Sequence, residues 1–353
     1  MKILITGGAG FVGSNLSIKL KEKYPDYTIV AFDNLKRRGS ELNLERFKKA
    51  GIDFIHGDIR NKEDFEILST YDLMIECSAE PSVLAGVNSS PSYLLNTNLV
   101  GTINCLESVR NNNAKIIFIS TSRVYPIEKI NNLNIKELET RFILENKQNL
   151  EGISEKGIAE NFTLEGARTL YGATKLSSEL LVQEYMYTYE IESIINRCGV
   201  ISGPWQMGKV DQGFIVLWIA KHIFGGNLSY IGYNGSGKQV RDFIHIDDLF
   251  NIIDIQINDF KKYSGQIFNI GGGVKNSISL LELTNLCEKI TNNKVNISRV
   301  VETRPGDLKI YITDSSKIQN LTNWTPKKDI ETTIKDIYDW IQNNKDALKN
   351  ILS

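Results

Sequence analysis

The chain has 353 residues, and its 41 Lys and Arg residues nearly balance its 42 Asp and Glu residues, for a formal net charge of −1. This length predicts one large α/β unit or two closely joined domains, and the balanced charge excludes an electrostatic argument for binding nucleic acid or an anionic membrane. Hydrophobic residues make up 41% of the chain, which is typical of a globular protein and too many for general disorder.

The first residues of the sequence do not resemble a secretory signal, and we expect none. Met1–Thr6 runs directly into glycine-rich sequence, without the basic and apolar regions of a secretory signal. The chain also lacks an apolar run of about 18 residues, so we expect no transmembrane helix and a cytoplasmic protein. The cysteines, Cys77, Cys105, Cys198 and Cys287, form no C-x-x-C pair and share no metal-ligand spacing with the histidines. They are therefore predicted to be free thiols, and no metal site is expected.

Short β-type segments alternate with longer helical segments over the first two hundred residues. The β-type segments are mostly continuous apolar runs, which is typical of parallel strands covered on both faces. Their alternation with helices predicts a doubly wound parallel α/β sheet of the Rossmann type. The predicted strands are Lys2–Thr6, Thr28–Asn34, Asp53–Asp58, Asp72–Ala79, Lys115–Thr121, Glu192–Gly199 and Gln266–Ile270. The predicted helices include Gly13–Lys23, Asn98–Asn111, Tyr171–Tyr189 and Leu280–Ile290.

Changes in this pattern predict two domains. Residues 1–200 and about 240–273 are expected to form the Rossmann domain. Residues 126–170 are polar and interrupt the alternation, which predicts a lid-like excursion inserted into that domain. Residues from about 201 to 239 and from 274 to 353 combine glycine-rich turns with amphipathic helices. We expect them to form a smaller substrate-binding domain.

A glycine-rich segment, TGGAGFVG, follows the first predicted strand and starts at Thr6. Gly7, Gly10 and Gly13 match T-G-x-x-G-x-x-G, in which glycines allow a tight turn and let a pyrophosphate approach the backbone at a helix N-terminus. Asp33 follows Gly13 by 20 residues at the end of the second predicted strand. Its carboxylate is placed to accept hydrogen bonds from an adenosine ribose and would repel a 2′-phosphate. The sequence therefore predicts NAD rather than NADP.

Residues after the second and third predicted strands extend this cofactor site. Asp58 ends the third predicted strand, where it can reach an adenine amino group, although a structural turn explains this aspartate nearly as well. Arg37 and Arg38 follow Asp33 closely and would suit a 2′-phosphate. They argue in the opposite direction from Asp33 and weaken the preference for NAD slightly.

The fifth predicted strand and a later helix carry candidate catalytic groups. The strand ends in Ser120 and Thr121, at the sheet edge where ligands bind in open α/β folds. Tyr171 and Lys175 lie four residues apart at the start of a long predicted helix, so they share one face. The ammonium favours the phenolate form, and the tyrosine can then act as general base or acid on a sugar hydroxyl. A second such pair, Tyr125–Lys129, contains a proline and is not expected to propagate a helix.

Together, the glycine-rich segment, Asp33, Thr121, the Tyr171–Lys175 segment and Arg304–Asp307 resemble the extended short-chain dehydrogenase/reductase family of nucleotide-sugar enzymes. The resemblance covers nearly the whole chain. It implies a retained NAD, reversible oxidation of a sugar carbon to a keto-sugar, and re-reduction on the other face. The substrate would be a nucleotide-diphosphate sugar, the enzyme an epimerase (an isomerase), and the assembly a homodimer.

Three segments resemble the subgroup of this family that inverts C2 of a CDP-linked sugar: Asp33–Ser40, Asp211–Gly213 and Gly237–Asp242. We therefore expect a CDP-sugar substrate, with C2 inversion favoured over the C4 inversion of most relatives. The same resemblance implies a role in making precursors of surface glycans such as lipopolysaccharide.

The resemblance also assigns roles to individual residues. Thr121, Tyr171 and Lys175 would be catalytic. The expected cofactor-binding residues are Gly7, Gly10, Phe11, Val12, Gly13, Asp33, Asn34, Arg37, Asp58, Ile59, Cys77, Ser78, Ala79, Asn98, Ser120, Tyr171, Lys175 and Cys198. The expected substrate-binding residues are Glu80, Thr121, Gln212, Gln239, Arg241, Arg304 and Asp307. Among these, the two arginines would hold the diphosphate and Asp307 the nucleotide ribose.

Departures from the family pattern leave alternatives open. Cys77–Glu80 reads Cys-Ser-Ala-Glu where relatives commonly read Leu-Ala-Ala followed by Gln or His, and Val200 stands where many carry Asn. A 4,6-dehydratase would read Thr-Asp-Glu, but here Ser122 and Arg123 follow Thr121. A keto-sugar reductase that uses exchangeable NADPH is a further alternative, which Asp33 opposes. A catalytically silent NAD-binding sensor would usually lack the tyrosine or the lysine of the catalytic pair.

Overall fold

The structure, a computed structural model, describes residues 1–209 and 212–353. Asp211, the first residue of one of the three subgroup segments, lies outside the described residues. The chain divides into two compact units. The first unit comprises Met1–Thr121, Leu170–Arg197 and Phe250–Ile267. The second unit comprises Ser122–Thr169, Cys198–Leu249 and Phe268–Ser353.

A seven-stranded sheet organises the first unit, as the apolar runs predict. In spatial order its strands are Ile267–Ile270, Ser193–Cys198, Lys115–Thr121, Leu73–Glu76, Lys2–Thr6, Thr28–Asp33 and Asp53–His56. The pairs from Asp53–His56 across to Lys115–Thr121 are parallel. This order is that of the doubly wound dinucleotide-binding fold with one further strand, so the predicted fold class is confirmed. The seventh strand, Ile267–Ile270, begins in the first unit and ends in the second.

Helices follow the predicted positions closely. The helices of seven or more residues are Phe11–Lys23, Asn43–Ala50, Gly101–Asn111, Leu170–Tyr189, Phe214–Phe224, Ile246–Asn258, Leu280–Thr291, Ser316–Thr322, Ile330–Asn343 and Lys345–Leu352. Short helices span Ser92–Leu95, Ile127–Asn131 and Phe260–Tyr263, and one π-helical turn spans Asn96–Val100. Within the described part of the chain, none of these helices is long and apolar enough to cross a membrane.

The core of the first unit is built from the apolar strand residues. Leu4, Phe32, Met74 and Phe118 are buried on four successive strands and pack with Val182 of the helix Leu170–Tyr189. Continuous apolar runs produce this arrangement because both faces of a parallel sheet are covered by helices. The sheet therefore holds its strand ends, and the loops that follow them, in fixed positions.

The second unit has smaller sheets. A four-stranded sheet contains Val200–Ser202, Val240–His245, Ser277–Ser279 and Ile310–Tyr311. Its two-stranded sheets are Asn227–Ile231 with Asn296–Val300, Ile135–Glu137 with Phe142–Leu144, and Ile153–Ser154 with Gly157–Ile158. Ser279 caps the helix Leu280–Thr291 through a reciprocal capping box with Glu282, which marks the helix start in the sequence as well.

Residues 122–169 belong to the second unit, whereas the sequence placed the excursion 126–170 inside the Rossmann domain. Its hairpins pack on other parts of that unit. Phe142 N donates to Lys238 O at 3.1 Å, and Ile158 N donates to Ile312 O at 2.8 Å. The role of the excursion as a lid over the sugar stays a prediction.

Candidate active site

The glycine-rich loop forms a close turn between the first strand and the first helix. Gly10 N donates to Gly7 O at 3.0 Å, and Gly7 has a positive φ of 62°. A Cβ on Gly13 would lie 2.3 Å from Gly7 O, so a side chain there would displace the loop backbone. Phe11 and Val12 occupy the first turn of the helix, which has neither a capping side chain nor an acidic residue in that turn. The loop therefore fits a dinucleotide pyrophosphate.

Asp33 joins the second strand to this loop. Its Oδ2 accepts from Ala9 N at 3.1 Å, and its Oδ1 accepts from Leu35 N at 2.7 Å. Burial raises the pKa of Asp33, and the backbone hydrogen bonds oppose that rise. Each carboxylate oxygen has a second lone pair, so the carboxylate retains the capacity to accept from a ribose hydroxyl.

Asp58 has partners from two neighbouring segments. Asn34 Nδ2 donates to Asp58 Oδ2 at 2.9 Å, and the Arg60 guanidinium forms an ion pair with the same carboxylate at 2.5 Å. Burial acts to raise the pKa of Asp58, but the hydrogen bonds from Arg60 and Asn34 outweigh it and lower the pKa to about 2. Ile59 is buried beside Gly101, where a Cβ would lie 2.5 Å from Ile59 Cδ1. Arg37 is half-buried, and its backbone carbonyl accepts a hydrogen bond from Ser40 N.

The loop after the fourth strand lies against both the glycine-rich loop and a helix. A Cβ on Gly7 would be 2.9 Å from Cys77 O and from Ser78 Cα, so these backbones are in close contact. Asn98 Oδ1 accepts from Glu80 N at 2.8 Å, and Asn98 Nδ2 donates to Glu80 O at 3.1 Å. Ala79 and Glu80 are half-buried at the end of this loop. The asparagine thus holds the loop in place.

Asn98 also contacts the helix that carries the catalytic pair. Its Nδ2 donates to Thr174 Oγ1 at 3.3 Å, and Ser178 Oγ donates to its backbone carbonyl at 2.9 Å. Asn98 lies in the π-helical turn Asn96–Val100, a rare conformation that occurs often at functional sites. The sequence identified Asn98 through the family resemblance, but its bridging role is visible only in the structure.

The predicted catalytic pair lies at the start of the helix Leu170–Tyr189. Tyr171 is half-buried, whereas Lys175 is only 1% exposed. Lys175 Nζ lies 3.6 Å from Glu76 Oε2 and 3.9 Å from the centre of the Phe118 ring. Glu76 is therefore a site residue that the sequence reasoning missed, although a glutamate that ends a buried apolar strand was a visible signal.

Thr121 and Ser120 end the fifth strand, and both are buried. Ser120 Oγ donates to Glu179 Oε1, and Glu179 pairs with Arg197, whose Nη2 lies 2.7 Å from Glu179 Oε2. This buried network fixes the strand end that carries Thr121. Glu179 and Arg197 are further residues that sequence reasoning did not single out.

In the second unit, Arg241 and Asp307 contact each other. Arg241 Nη2 donates to Asp307 Oδ1 at 2.9 Å, and Asn131 Nδ2 donates to the Asp307 carbonyl at 3.0 Å. The family resemblance assigned these two residues to separate groups of the substrate and did not predict their ion pair. Arg304 is half-buried and begins a turn, in which Asp307 N donates a hydrogen bond to the Arg304 carbonyl. Tyr233 lies near Arg241 and Asp307, and burial raises its pKa to about 12.

The other predicted substrate residues lie in the second unit or at its boundary. Gln239 Nε2 donates to Ile231 O at 2.9 Å, while its buried Oε1 accepts no hydrogen bond from residues 1–209 or 212–353. Gln212 exchanges backbone hydrogen bonds with Lys209. Cys198, a predicted cofactor-binding residue, is buried where the sixth predicted strand ends and forms no disulfide with a described cysteine.

Comparisons with known proteins agree with this fold. The model of the NAD dependent epimerase/dehydratase family matches residues 3–271. The chain is 33% identical over 347 residues to the CDP-paratose 2-epimerase of Salmonella typhi, covering 96% of this chain and 99% of that protein. It is 28% identical to the dTDP-glucose 4,6-dehydratase of Salmonella typhimurium, and the alignment covers 100% of this chain and 96% of that protein. This chain therefore belongs to the NAD-dependent epimerase/dehydratase family, the family of the predicted resemblance, and NAD is its cofactor.

Solved structures give the same result. The UDP-glucuronic acid 4-epimerase of Bacillus cereus, solved with UDP-glucuronic acid and NAD, aligns with a TM-score of 0.80 and 27% identity. The alignment covers 97% of this chain and 99% of that chain. The UDP-glucose 4-epimerase of Thermotoga maritima, solved with UDP-glucose, aligns with a TM-score of 0.78 and 25% identity.

Proposed function

We propose that this chain is an epimerase that inverts one carbon of a nucleotide-diphosphate sugar by transient oxidation to a keto-sugar. The observation that carries the proposal is the pair Tyr171 and Lys175 on one helical turn. Lys175 is buried against the end of the strand Leu73–Glu76. The loop that follows this strand contacts the glycine-rich loop. The first unit thus contains both a dinucleotide cradle and an acid/base pair.

The chemistry proposed for the residues follows from their positions. Tyr171 removes the proton from the sugar hydroxyl and returns it after inversion. Lys175 keeps a positive charge near that phenolate and donates to the nicotinamide ribose. Thr121 donates a hydrogen bond to the reacting oxygen. The glycine-rich loop and Asp33 would hold NAD, which when bound would supply reversible hydride transfer at the sugar carbon.

Residues of the second unit are proposed to bind the nucleotide part of the substrate. Arg241 and Arg304 hold the diphosphate, because guanidinium groups bind phosphate oxygens in a bidentate way. Arg304 has no hydrogen bond or ion pair from its side chain to any described residue, which leaves its donors available. Asp307 accepts from the nucleotide ribose. Its ion pair with Arg241 orients both groups before substrate binds.

We propose C2 of a CDP-sugar as the position inverted. Supporting this are the three subgroup segments of the sequence and the similarity to a CDP-paratose 2-epimerase over 96% of the chain. C4 inversion is the second candidate, because the similar solved structures include a UDP-glucuronic acid 4-epimerase.

Two other activities are disfavoured by particular residues. A 4,6-dehydratase needs an acid/base pair next to Thr121, but Ser122 and Arg123 stand there, and Arg123 Nη1 donates to Gly306 O at 3.0 Å. An NADPH-dependent reductase would have to place a 2′-phosphate beside the Asp33 carboxylate. Retention of the catalytic pair argues against a silent NAD-binding sensor.

We further propose that the enzyme is a cytoplasmic homodimer. The helix Leu170–Tyr189 exposes Leu180 (59%) and Tyr187 (84%), which lie two turns apart on one helical face. Val100, at the end of the π-helical turn, is also exposed. Exposed apolar groups aligned in this way are typical of an interface.

A panel of CDP-, UDP- and GDP-sugars tests the proposed function. Each is incubated with the protein, and NMR locates the carbon whose configuration changes. The proposal predicts inversion at C2 of a CDP-sugar without net consumption of NAD. Inversion at C4 would select the second candidate, and loss of water from the sugar would indicate a dehydratase.

A further inference from the structure

Glu76 is a buried carboxylate whose position the proposed mechanism does not explain. It ends the strand Leu73–Glu76 and is 0% exposed. Its Oε2 lies 3.6 Å from Lys175 Nζ, which is an ion-pair distance and longer than a hydrogen bond. By distance and angle, neither of its oxygens accepts a hydrogen bond from residues 1–209 or 212–353, although the Ser78 backbone N–H is near enough to oppose the rise in the pKa of Glu76. A carboxylate in this state is costly to bury, because water no longer solvates it.

The groups around Glu76 leave Lys175 as its cationic partner. In the sheet register Glu76 lies opposite Thr6 on one side and Phe118 on the other. Thr6 Oγ1 is also buried without a hydrogen bond from the described residues. On the helix Gly101–Asn111, Cys105 is the other titratable group near Glu76. Burial raises the pKa of the Cys105 thiol well above its usual value, and the charge of Glu76 adds to the rise.

Lys175 is held between a carboxylate and an aromatic face. Its ammonium lies 3.6 Å from Glu76 and 3.9 Å from the centre of the Phe118 ring. Both neighbours stabilise a positive charge, and both are fixed by the central strands of the sheet. The flexible lysine side chain thereby acquires one defined position on the helix face that it shares with Tyr171.

We propose that Glu76 is a positioning residue for Lys175, whose ammonium it holds in the arrangement that the acid/base chemistry and the nicotinamide ribose require. The inference rests on the proposed function and adds a residue to it. Glu76 acts through Lys175 and has no assigned contact with the substrate.

This role has a defined pH dependence. Burial raises the pKa of Glu76, and the charge of Lys175 opposes that rise. As the pH falls, Glu76 therefore takes up a proton before an ordinary surface glutamate does. The ion pair is then lost, and Lys175 is no longer held. Activity and NAD affinity should both fall toward acid pH through the same titration, while Cys105 stays a neutral thiol over that range.

The pairing is tested by carbon-13 NMR of glutamate carboxyl groups in protein stripped of nucleotide. One carboxyl signal, missing in Glu76→Gln, is expected to titrate above the ordinary glutamate range. In Lys175→Met its midpoint should move higher still, because the opposing cation is gone, and in Lys175→Arg it should stay nearer to wild type. A midpoint in the ordinary range, or one that Lys175→Met leaves unchanged, would overturn the pairing.

The positioning role is tested by two pH profiles. One follows NAD⁺ affinity by calorimetry, and the other follows kcat with the substrate found in the sugar panel. In the wild type, NAD⁺ affinity and kcat should both fall toward acid pH. Glu76→Gln, which keeps the size of the side chain, should lower kcat at neutral pH and abolish the acid limb of NAD⁺ affinity, with KM for the sugar nearly unchanged. Cys105→Ser is the matched control and should keep the limb.

A Glu76→Gln enzyme with the kcat and acid limb of wild type would overturn the positioning role. If no nucleotide sugar is turned over, the proposed function fails on its own. The carboxyl titration and the NAD⁺ affinity profile then still decide the role of Glu76, since neither needs a sugar substrate.

Discussion

At the residue scale, the sequence predicted a catalytic pair but not the contacts that hold it. Tyr171 and Lys175 were visible because four residues of helix place them together. Glu76 and Asn98, which fix the lysine and the helix, come from distant parts of the chain. Contacts of this kind depend on strand order, which single-sequence patterns do not specify. The ion pair of Arg241 with Asp307 was missed for the same reason.

The role of Tyr171 predicts a specific loss. Tyr171→Phe keeps the ring and most of its packing but removes the oxygen that exchanges the proton. Epimerisation should fall by about 10²–10⁴-fold, while the bound NAD and the thermal unfolding temperature stay close to wild type. Steady-state kinetics and a melting curve measure both. An unimpaired Tyr171→Phe enzyme would contradict the assignment.

Tyr125→Phe provides a matched control, because Tyr125 belongs to the second tyrosine–lysine pair. The sequence predicts that this segment does not propagate a helix; the structure has a helix of five residues there, Ile127–Asn131, which contains Lys129 but not Tyr125. Tyr125 is buried, and its hydroxyl donates to Asn269 Oδ1 at 2.8 Å. Losing this bond should lower the free energy of unfolding by about 1–3 kcal/mol and leave turnover intact.

Asp242 predicts a pH dependence of stability. It is fully buried, and although Gly273 N and Thr313 Oγ1 donate to it, burial raises its pKa to about 6. Its folded pKa is above its unfolded value, so its contribution to stability is complete at low pH and is lost as the pH rises to about 6. Relative to Asp242→Asn, wild type should gain about 1.4 kcal/mol in unfolding free energy for each pH unit lowered from 6 toward 4. Equal pH profiles in urea titrations would contradict the burial argument.

At the element scale, the sequence predicted the strands and long helices within a few residues, because continuous apolar runs and helical spacing are local signals. Predicted Thr28–Asn34 is observed as Thr28–Asp33, and predicted Tyr171–Tyr189 as Leu170–Tyr189. The grouping of residues 122–169 with the second unit was not predictable, because it depends on hydrogen bonds to residues far away in the sequence. The π-helical turn at Asn98 likewise has no local sequence signal.

The geometry of the glycine-rich loop predicts that Gly13 is required for NAD binding. In Gly13→Ala the new Cβ would lie 2.3 Å from Gly7 O and 2.8 Å from Gly8 Cα, so the loop must shift. The purified variant should carry little NAD, measured as nucleotide released on denaturation. Gly51→Ala is the control, since Gly51 has a positive φ of 68° but a Cβ there would lie 4.0 Å from its nearest neighbour. It should cost about 1–2 kcal/mol of stability and keep the nucleotide. Full NAD content in Gly13→Ala would contradict the cradle.

At the scale of the whole molecule, the fold class and the family were predictable because motif, strand order and length agree with one another. The oligomeric state is the property that the sequence of a single chain predicts least well. If the face bearing Leu180 and Tyr187 is a dimer interface, Leu180→Glu should convert a dimer to a monomer in light scattering. A wild-type protein that is already monomeric at micromolar concentration would contradict the proposed homodimer.

Epimerisation in D₂O tests the central claim most directly. Inversion by oxidation and re-reduction moves the carbon-bound hydrogen as a hydride, which does not exchange with solvent. NMR of the product formed by the wild-type enzyme should therefore show that hydrogen retained at the inverted carbon, with no deuterium there. Deuterium at the inverted carbon would mean that a proton is removed from carbon itself, and it would contradict the hydride mechanism and the role given to Tyr171.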